Sequence, residues 1–276
     1  MNPRVQLRIQ RYGWDAAAPF YHDGWEAQLR GAHAHLMRLA DIQAGQHVLE
    51  IACGSGLVTT QIAQAVGEDG DVLATDISQG MLDDLEQRLL PNLRRRVTFR
   101  RMPAEALSVS NGTFDAAVSA LGLMYTTDPG TALRNMARAV KKGGTVAATV
   151  WGERNNCGWA EVFPIVDARV SSEVCPLFFR TGAPGALVRQ FHDAEIENIT
   201  EHRHSEILNF ASDDQLVDAV LLGGPVAMAV KRFNETDWHD VRQEFLESVS
   251  AFKHFDGSYH IPGEFLTVKG IRQVLQ

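Results

Sequence analysis

Glu50, Gly54, Gly56 and Asp76 are residues whose types and spacing suit them to chemistry, and they sit in two short runs, HVLEIACGSG at residues 47–56 and ATDIS at 74–78. An apolar run that stops at a small, glycine-containing turn is how a central parallel strand delivers its backbone to a ligand. A carboxylate ending the next strand, Asp76 here, can accept hydrogen bonds from a ribose diol. The pairing points to an adenosine-containing ligand.

The charge at the first turn narrows the choice. A dinucleotide fingerprint places its glycines so that a pyrophosphate approaches a helix N-terminus. Glu50 stands inside the strand end, where it repels phosphate but can hold or orient an ammonium, directly or through water. The expected ligand therefore joins adenosine to a positively charged amino-acid group, a description that fits S-adenosylmethionine. Without such a ligand, Glu50 reads as a structural carboxylate and Asp76 as a helix cap. A nicotinamide or flavin oxidoreductase has only a shortened phosphate signature in its favour.

Regular elements must hold these residues in place. Strands are expected at His47 to Ala52, Asp71 to Asp76, Val97 to Arg101, Phe114 to Ser119 and Thr145 to Trp151. Helices are expected at Leu57 to Val66, at Gln79 to Leu90 with Ser78 as its cap, and from Pro129 to Val140, with Gly143 and Gly144 as a turn. Such alternation demands right-handed crossovers and a parallel sheet covered on both faces. The fold class is α/β, a doubly wound, mostly parallel seven-stranded sheet, with late strands expected at Ala194 to Ile207 and Glu264 to Ile271. Residues 1–40 read as an N-terminal helical cap with an aromatic face of Trp14, Phe20, Tyr21, Trp25 and Leu29; residues 41–276 read as the ligand-binding domain, with lid segments at about 152–192 and 208–255.

Composition bounds the partners. Of 276 residues 45% are hydrophobic, ample for one generous core, and a net charge of −8 offers no general field for nucleic acid or an anionic membrane. The dense basic cluster, Arg94 to Arg96 with Arg100 and Arg101, surrounds an expected edge strand and reads as a solvated face. Cys53, Cys157 and Cys175 are too few and too scattered for a disulfide framework, and no stretch reads as a cleavable leader or membrane span, so a reducing, cytoplasmic setting is expected. Monomer and homodimer both remain open.

The chain resembles the class I S-adenosylmethionine-dependent methyltransferases, specifically the group similar to the ubiquinone/menaquinone-biosynthesis methyltransferases. The resemblance rests on VLEIACGSG at 48–56, Asp76, AEAL at 104–107, FDAAVSALGLMYTTDP at 114–129, ALRNMARAVKKGGTVAATVW at 132–151 and the aromatic WDAAAPFY at 14–21. It implies cofactor binding by Tyr21, Glu50, Ala52, Cys53, Gly54, Gly56, Asp76, Ile77, Met81, Ala104, Glu105 and Leu121, with S-adenosylhomocysteine as product. Asp76 would take the ribose hydroxyls, Glu50 the ammonium side, and Ala104 with Glu105 the adenine edge. Three positions depart from the family pattern: Ala52 replaces a common glycine, Pro103 stands where an aspartate often contacts the adenine amine, and Lys142 replaces a proline.

The acceptor is less legible. Methyl transfer needs a nucleophile in line behind the sulfonium methyl, and positioning alone can remove several kcal/mol from the barrier. A hydroxyl acceptor would gain from a general base, for which His22 and His254 are the candidates. Trp25, Tyr125 and Trp151 are expected to wall the acceptor site, and the many aromatics favour an apolar or aromatic small molecule. Oxygen and nitrogen lead as acceptor atoms, with carbon and sulfur open; the competing class is a catalytically inactive, cofactor-binding regulatory or structural protein. His202 and His204 share a strand face, a spacing that by itself makes no metal site, and no metal is expected.

Overall fold

The computed structural model describes residues 3–170 and 178–273. Its centre is a seven-stranded sheet of order β3-β2-β1-β4-β5-β7-β6. The strands are β1 (His47–Ile51), β2 (Asp71–Asp76), β3 (Val97–Arg101), β4 (Phe114–Ala120), β5 (Val140–Trp151), β6 (Ile196–Phe210) and β7 (Tyr259–Arg272). The first five are parallel, and β7 runs antiparallel to both β5 and β6. β1 and β2 each expose only their first residue, the burial expected of apolar strands covered on both faces.

The helices are α1 (Pro3–Ala40), α2 (Thr59–Ala65), α3 (Gln79–Arg88), α4 (Pro129–Ala139), α5 (Val162–Asp167), α6 (Ala186–Asp193), α7 (Asp213–Val217), α8 (Ala227–Val230) and α9 (Glu235–Ser248). Ser78 caps α3 as its sequence position suggests, its hydroxyl accepting from the Met81 amide. Asp128 does the same for α4, with Pro129 in the first turn. The strand order reverses between β1 and β4, and a crevice outside the carboxyl ends of the strands is the expected ligand site at such a point.

Four elements differ from the sequence reading. β5 begins at Val140, so the double glycine makes a register break inside the strand rather than a turn ahead of it. β6 and β7 are longer than expected and pair out to Phe210 and Tyr259, well past the Trp151–Phe265 pair that ends β5. The ribbon thus overshoots the sheet beside the crevice. Finally, α1 shares the main core instead of standing apart from it: Trp25, Leu29 and Ala32 are buried there, and Leu36 and Ala40 join the smaller core on Val48. The arginine cluster lies at the sheet edge, Arg100 and Arg101 on β3 and Arg94 to Arg96 in the helical turn before it, where Arg94 pairs with Glu86 and Arg96 with Glu68.

Candidate functional site

Two non-glycine residues with left-handed backbone mark the crevice. Ala52, just past β1, has φ +51°, and Leu121, just past β4, has φ +55°. Side chains pay a steric penalty in this region, and such strain collects at ligand sites. The two turns nearly touch: a Cβ placed on Gly122 would lie 2.3 Å from the Ala52 Cβ, so that glycine keeps the strand ends together. Gly54 (φ +54°) completes the first turn and donates its amide to Asp76 Oδ2 at 2.9 Å.

Asp76 is buried at the end of β2, and its other oxygen accepts from the Ser78 amide at 2.8 Å. Burial raises its pKa to about 6, against the pull of the Ser78, Gly54 and Ile77 amides; the charge on Asp15 adds to the rise. The carboxylate still has lone-pair capacity for a further donor. Around it lies a cavity that gathers Tyr21, Ala52, Gly54, Asp76, Ile77, Met81, Ala104, Glu105 and Leu121. This is the cradle that an adenosine with an amino-acid tail requires, deep, apolar on its flanks and acidic at one point.

Other expected contributors lie elsewhere. Glu50 does not line the cavity; its carboxyl sits beneath the turn, where Thr59 donates its hydroxyl at 2.6 Å, and burial raises its pKa to about 8. Cys53 faces away, a buried thiol pushed well above its ordinary value by burial. Gly56 lies on the far side of the turn, against Leu85 in a groove that also holds His22. His22, adjacent to Tyr21 on α1, points about 100° away from it and meets Ser55 Oγ at 3.0 Å. His254 is exposed and lies tilted against His260, ring centroids 3.9 Å apart, away from the cavity. Neither histidine is placed to serve as a base there.

Sequence reasoning missed Leu7, Gln10, Met102, Ala120, Gly122 and Thr126 as lining residues, and counted Trp14 on an aromatic face and among the aromatics that favour an apolar acceptor without assigning it to this wall. The signal for the α1 set was present: positions 7, 10, 14, 21 and 25 recur at helical spacing on one side of α1. Glu105 lines the cavity but is anchored outward, its carboxylate accepting from the Thr127 amide and hydroxyl. Pro103 leaves no acidic side chain at the adenine edge, and Gln10 brings an amide to the same cavity from α1.

A second, tighter cavity adjoins the first through four shared residues, Trp14, Tyr21, Leu121 and Tyr125. Trp25, Leu29, Trp151, Trp159 and the 223–225 turn complete its wall. Trp25 is fixed by Nε1 donating to the Ala219 and Gly223 carbonyls, and Trp151 stacks on Phe265 at 4.5 Å. Trp159 is buried with its Nε1 unpartnered among the described residues. Burial, with the nearby Asp76 charge, raises the Tyr21 hydroxyl, and burial also raises Tyr125; both remain protonated and are donors rather than bases.

Asp15 ties α1 down over this site, accepting from Ser78 Oγ at 2.6 Å and from the Gly80 amide at 3.1 Å. Away from it, His202 and His204 are joined by His35 from α1, an association that strand spacing alone could not reveal. Burial and the neighbouring His202, His204 and Arg38 lower His35 to about 4. Cys175 falls outside the described residues.

Residues 48–144 match the methyltransferase domain family. The ubiquinone/menaquinone biosynthesis C-methyltransferase of Azotobacter vinelandii is 34% identical over 128 residues, 46% of this chain and 51% of that one. The demethylmenaquinone methyltransferase of Lactococcus lactis is 31% identical over 125 residues, 45% of this chain and 47% of that one. The chain therefore spans about half the length of the curated relatives it matches. In fold it is similar to the YcgJ protein of Bacillus subtilis, with a TM-score of 0.61 and 13% identity, covering 89% of this chain and 100% of that one. The chain is thus similar to the class I S-adenosylmethionine-dependent methyltransferases of the ubiquinone/menaquinone group. Among the described residues, no helix is long and apolar enough to cross a membrane.

Proposed function

We propose that this chain transfers the methyl group of S-adenosylmethionine to a small, largely apolar acceptor held in the aromatic cavity, and that the acceptor atom is carbon. The observation that carries the reading is the junction of the two cavities: an acidic, nucleoside-sized site opens through Trp14, Tyr21, Leu121 and Tyr125 onto a chamber walled by indoles. The bound cofactor supplies an electrophilic methyl on a sulfonium and a neutral thioether as leaving group. Asp76 accepts the ribose hydroxyls, Ile77, Met81 and Met102 flank the adenosine, and Gln10 offers the amide that Pro103 cannot. Glu50 acts at one remove, holding the turn through Thr59. Aromatic faces at the junction favour the sulfonium charge and exclude water.

The choice of carbon follows from what the chamber lacks. Its described residues include no histidine and no carboxylate, and its tyrosines stay protonated. A neutral hydroxyl would wait there without a base, whereas an acceptor that arrives ionised as a phenolate or enolate brings its own electron pair: the new carbon–carbon bond forms as the methyl–sulfur bond breaks, and the proton left on the methylated carbon returns to the acceptor's own oxygen by tautomerisation through water. Trp159, buried and unpartnered, would donate to the oxygen of such an acceptor. The curated relative from Azotobacter carries C-methyltransferase in its name. The buried free thiols Cys53 and Cys157 suit a reducing, cytoplasmic setting.

Purified protein incubated with methyl-labelled S-adenosylmethionine and a panel of quinols, phenols and amines tests the reading. Label on a ring carbon supports it, and label on oxygen or nitrogen moves the acceptor assignment. Tight cofactor binding without transfer to any member of the panel favours the regulatory or structural alternative.

A further inference from the structure

Along α1, one face follows the sheet edge residue by residue. Gln28 brackets the Asn209 backbone, accepting from its amide at 2.7 Å and donating to its carbonyl at 2.6 Å. One turn on, the Glu206 carboxylate occupies the space that a side chain at Gly31 would fill. A further turn brings His35 against His202 and His204, ring centroids 4.1 and 4.6 Å away. Residues 202, 204 and 206 alternate along β6 and so present one face to this helix.

The cluster is under-satisfied in a way that points to a ligand. His35 is 7% exposed, and its Nε2 is buried without a partner. Both ring nitrogens of His204 are likewise buried and unpartnered, with Glu206 Oε1 3.3 Å from Nε2. Buried imidazole nitrogens left unpaired call for a bound group. One ligand atom from each of the three histidines falls within 4.8 Å of the others. We propose that His35, His202 and His204, with Glu206 as fourth donor, bind one divalent transition-metal ion, Zn²⁺ being the best match, and that the ion fastens α1 to β6.

Three imidazoles and a carboxylate form a tetrahedral donor set that zinc accepts, with Zn–N distances of about 2.0–2.1 Å. The rings close onto the ion by turning about their side-chain torsions. Arg38 marks the metal-free arrangement, since it donates to His35 Nδ1. Metal at either nitrogen of His35 ends that contact, at Nδ1 by taking the lone pair and at Nε2 by leaving the proton on Nδ1. The guanidinium and the ion are therefore alternatives, and Arg38 is exposed and free to swing away.

The test uses untagged, chelator-stripped protein titrated with ZnCl₂ by calorimetry and with CoCl₂ by visible spectroscopy. Expected are one ion per chain, the intense visible bands of four-coordinate cobalt, and a melting temperature raised by zinc. His204→Gln should weaken uptake by about 100-fold or more. His202→Gln, at the exposed rim, should do so while preserving circular dichroism and S-adenosylhomocysteine binding. Arg38→Gln should tighten it by about tenfold. Absence of stoichiometric uptake by the folded wild type overturns the site, as does uptake or a zinc-dependent melting shift that His202→Gln leaves unchanged.

Discussion

Asp76 is pulled toward opposite protonation states, by backbone amides that favour the carboxylate and by burial that favours the acid. Burial wins, and the carboxyl titrates near pH 6. Because the folded value lies above the unfolded one, ionisation of this group costs stability: its contribution is complete below about pH 4 and is lost as pH rises through 6. Ribose binding needs the ionised form, so ligand affinity runs the other way. Calorimetry with S-adenosylhomocysteine should show affinity falling as pH drops below 6, and Asp76→Ala should weaken binding by about 10- to 100-fold at pH 7.5. A flat profile between pH 5 and 8 would remove the ribose assignment. The neighbouring turns make a second prediction. Gly122→Ala brings a methyl within 2.3 Å of Ala52 Cβ and should cost about 1–3 kcal/mol. Ala52→Gly relaxes a left-handed alanine and removes that methyl, so the double variant should recover most of the loss in a denaturant cycle. Additive losses would mean that the two turns do not meet.

At the scale of elements, α1 is bound to the site by one carboxylate. Asp15 holds the Ser78 hydroxyl and the Gly80 amide at the head of α3, while Leu7, Gln10 and Trp14 on the same helix line the cavity. Asp15→Ala should therefore speed dissociation of S-adenosylhomocysteine several-fold and raise hydrogen exchange over residues 5–20, with exchange in β1 and β4 unchanged. An unaltered dissociation rate would show that this contact does not govern ligand exchange. The same helix shows how far sequence reasoning reaches. The strands β1, β2 and β4 were legible because apolar runs ending in Gly, Asp or Ser have few alternative readings. Ala52, Asp76 and Leu121, at those strand ends, came to line the cavity. Glu50 did not, because its partner Thr59 lies nine positions on, across the turn, and strand pattern carries no such side-chain choice. His22 and Tyr21 are adjacent in sequence yet face different cavities, a distinction that requires the helix phase. His35 meets β6 only through tertiary packing, across more than 160 residues that no local pattern spans.

Across the molecule, the nucleoside cavity is built from both ends of the domain half, with walls from α1, the strand ends and the loop after β4. A ligand that binds only this assembled state stabilises it by mass action, about 2.7 kcal/mol at one hundred times the dissociation constant. For a chain of this size that corresponds to a rise of roughly 2–4 °C per kcal/mol, so saturating S-adenosylhomocysteine should raise the melting temperature by several degrees. Adenosine alone should give less, lacking the amino-acid tail, and a scan that responds to neither would contradict the cavity assignment. The two cavities share Trp14, Tyr21, Leu121 and Tyr125 rather than being divided by a wall of their own. Under the proposed function, retargeting the chain to a bulkier acceptor by trimming any of these four would loosen its grip on the methyl source as well. Directed evolution has room to alter selectivity independently at Trp25, Leu29, Trp151, Trp159 and the 223–225 turn, which touch the chamber but not the first cavity.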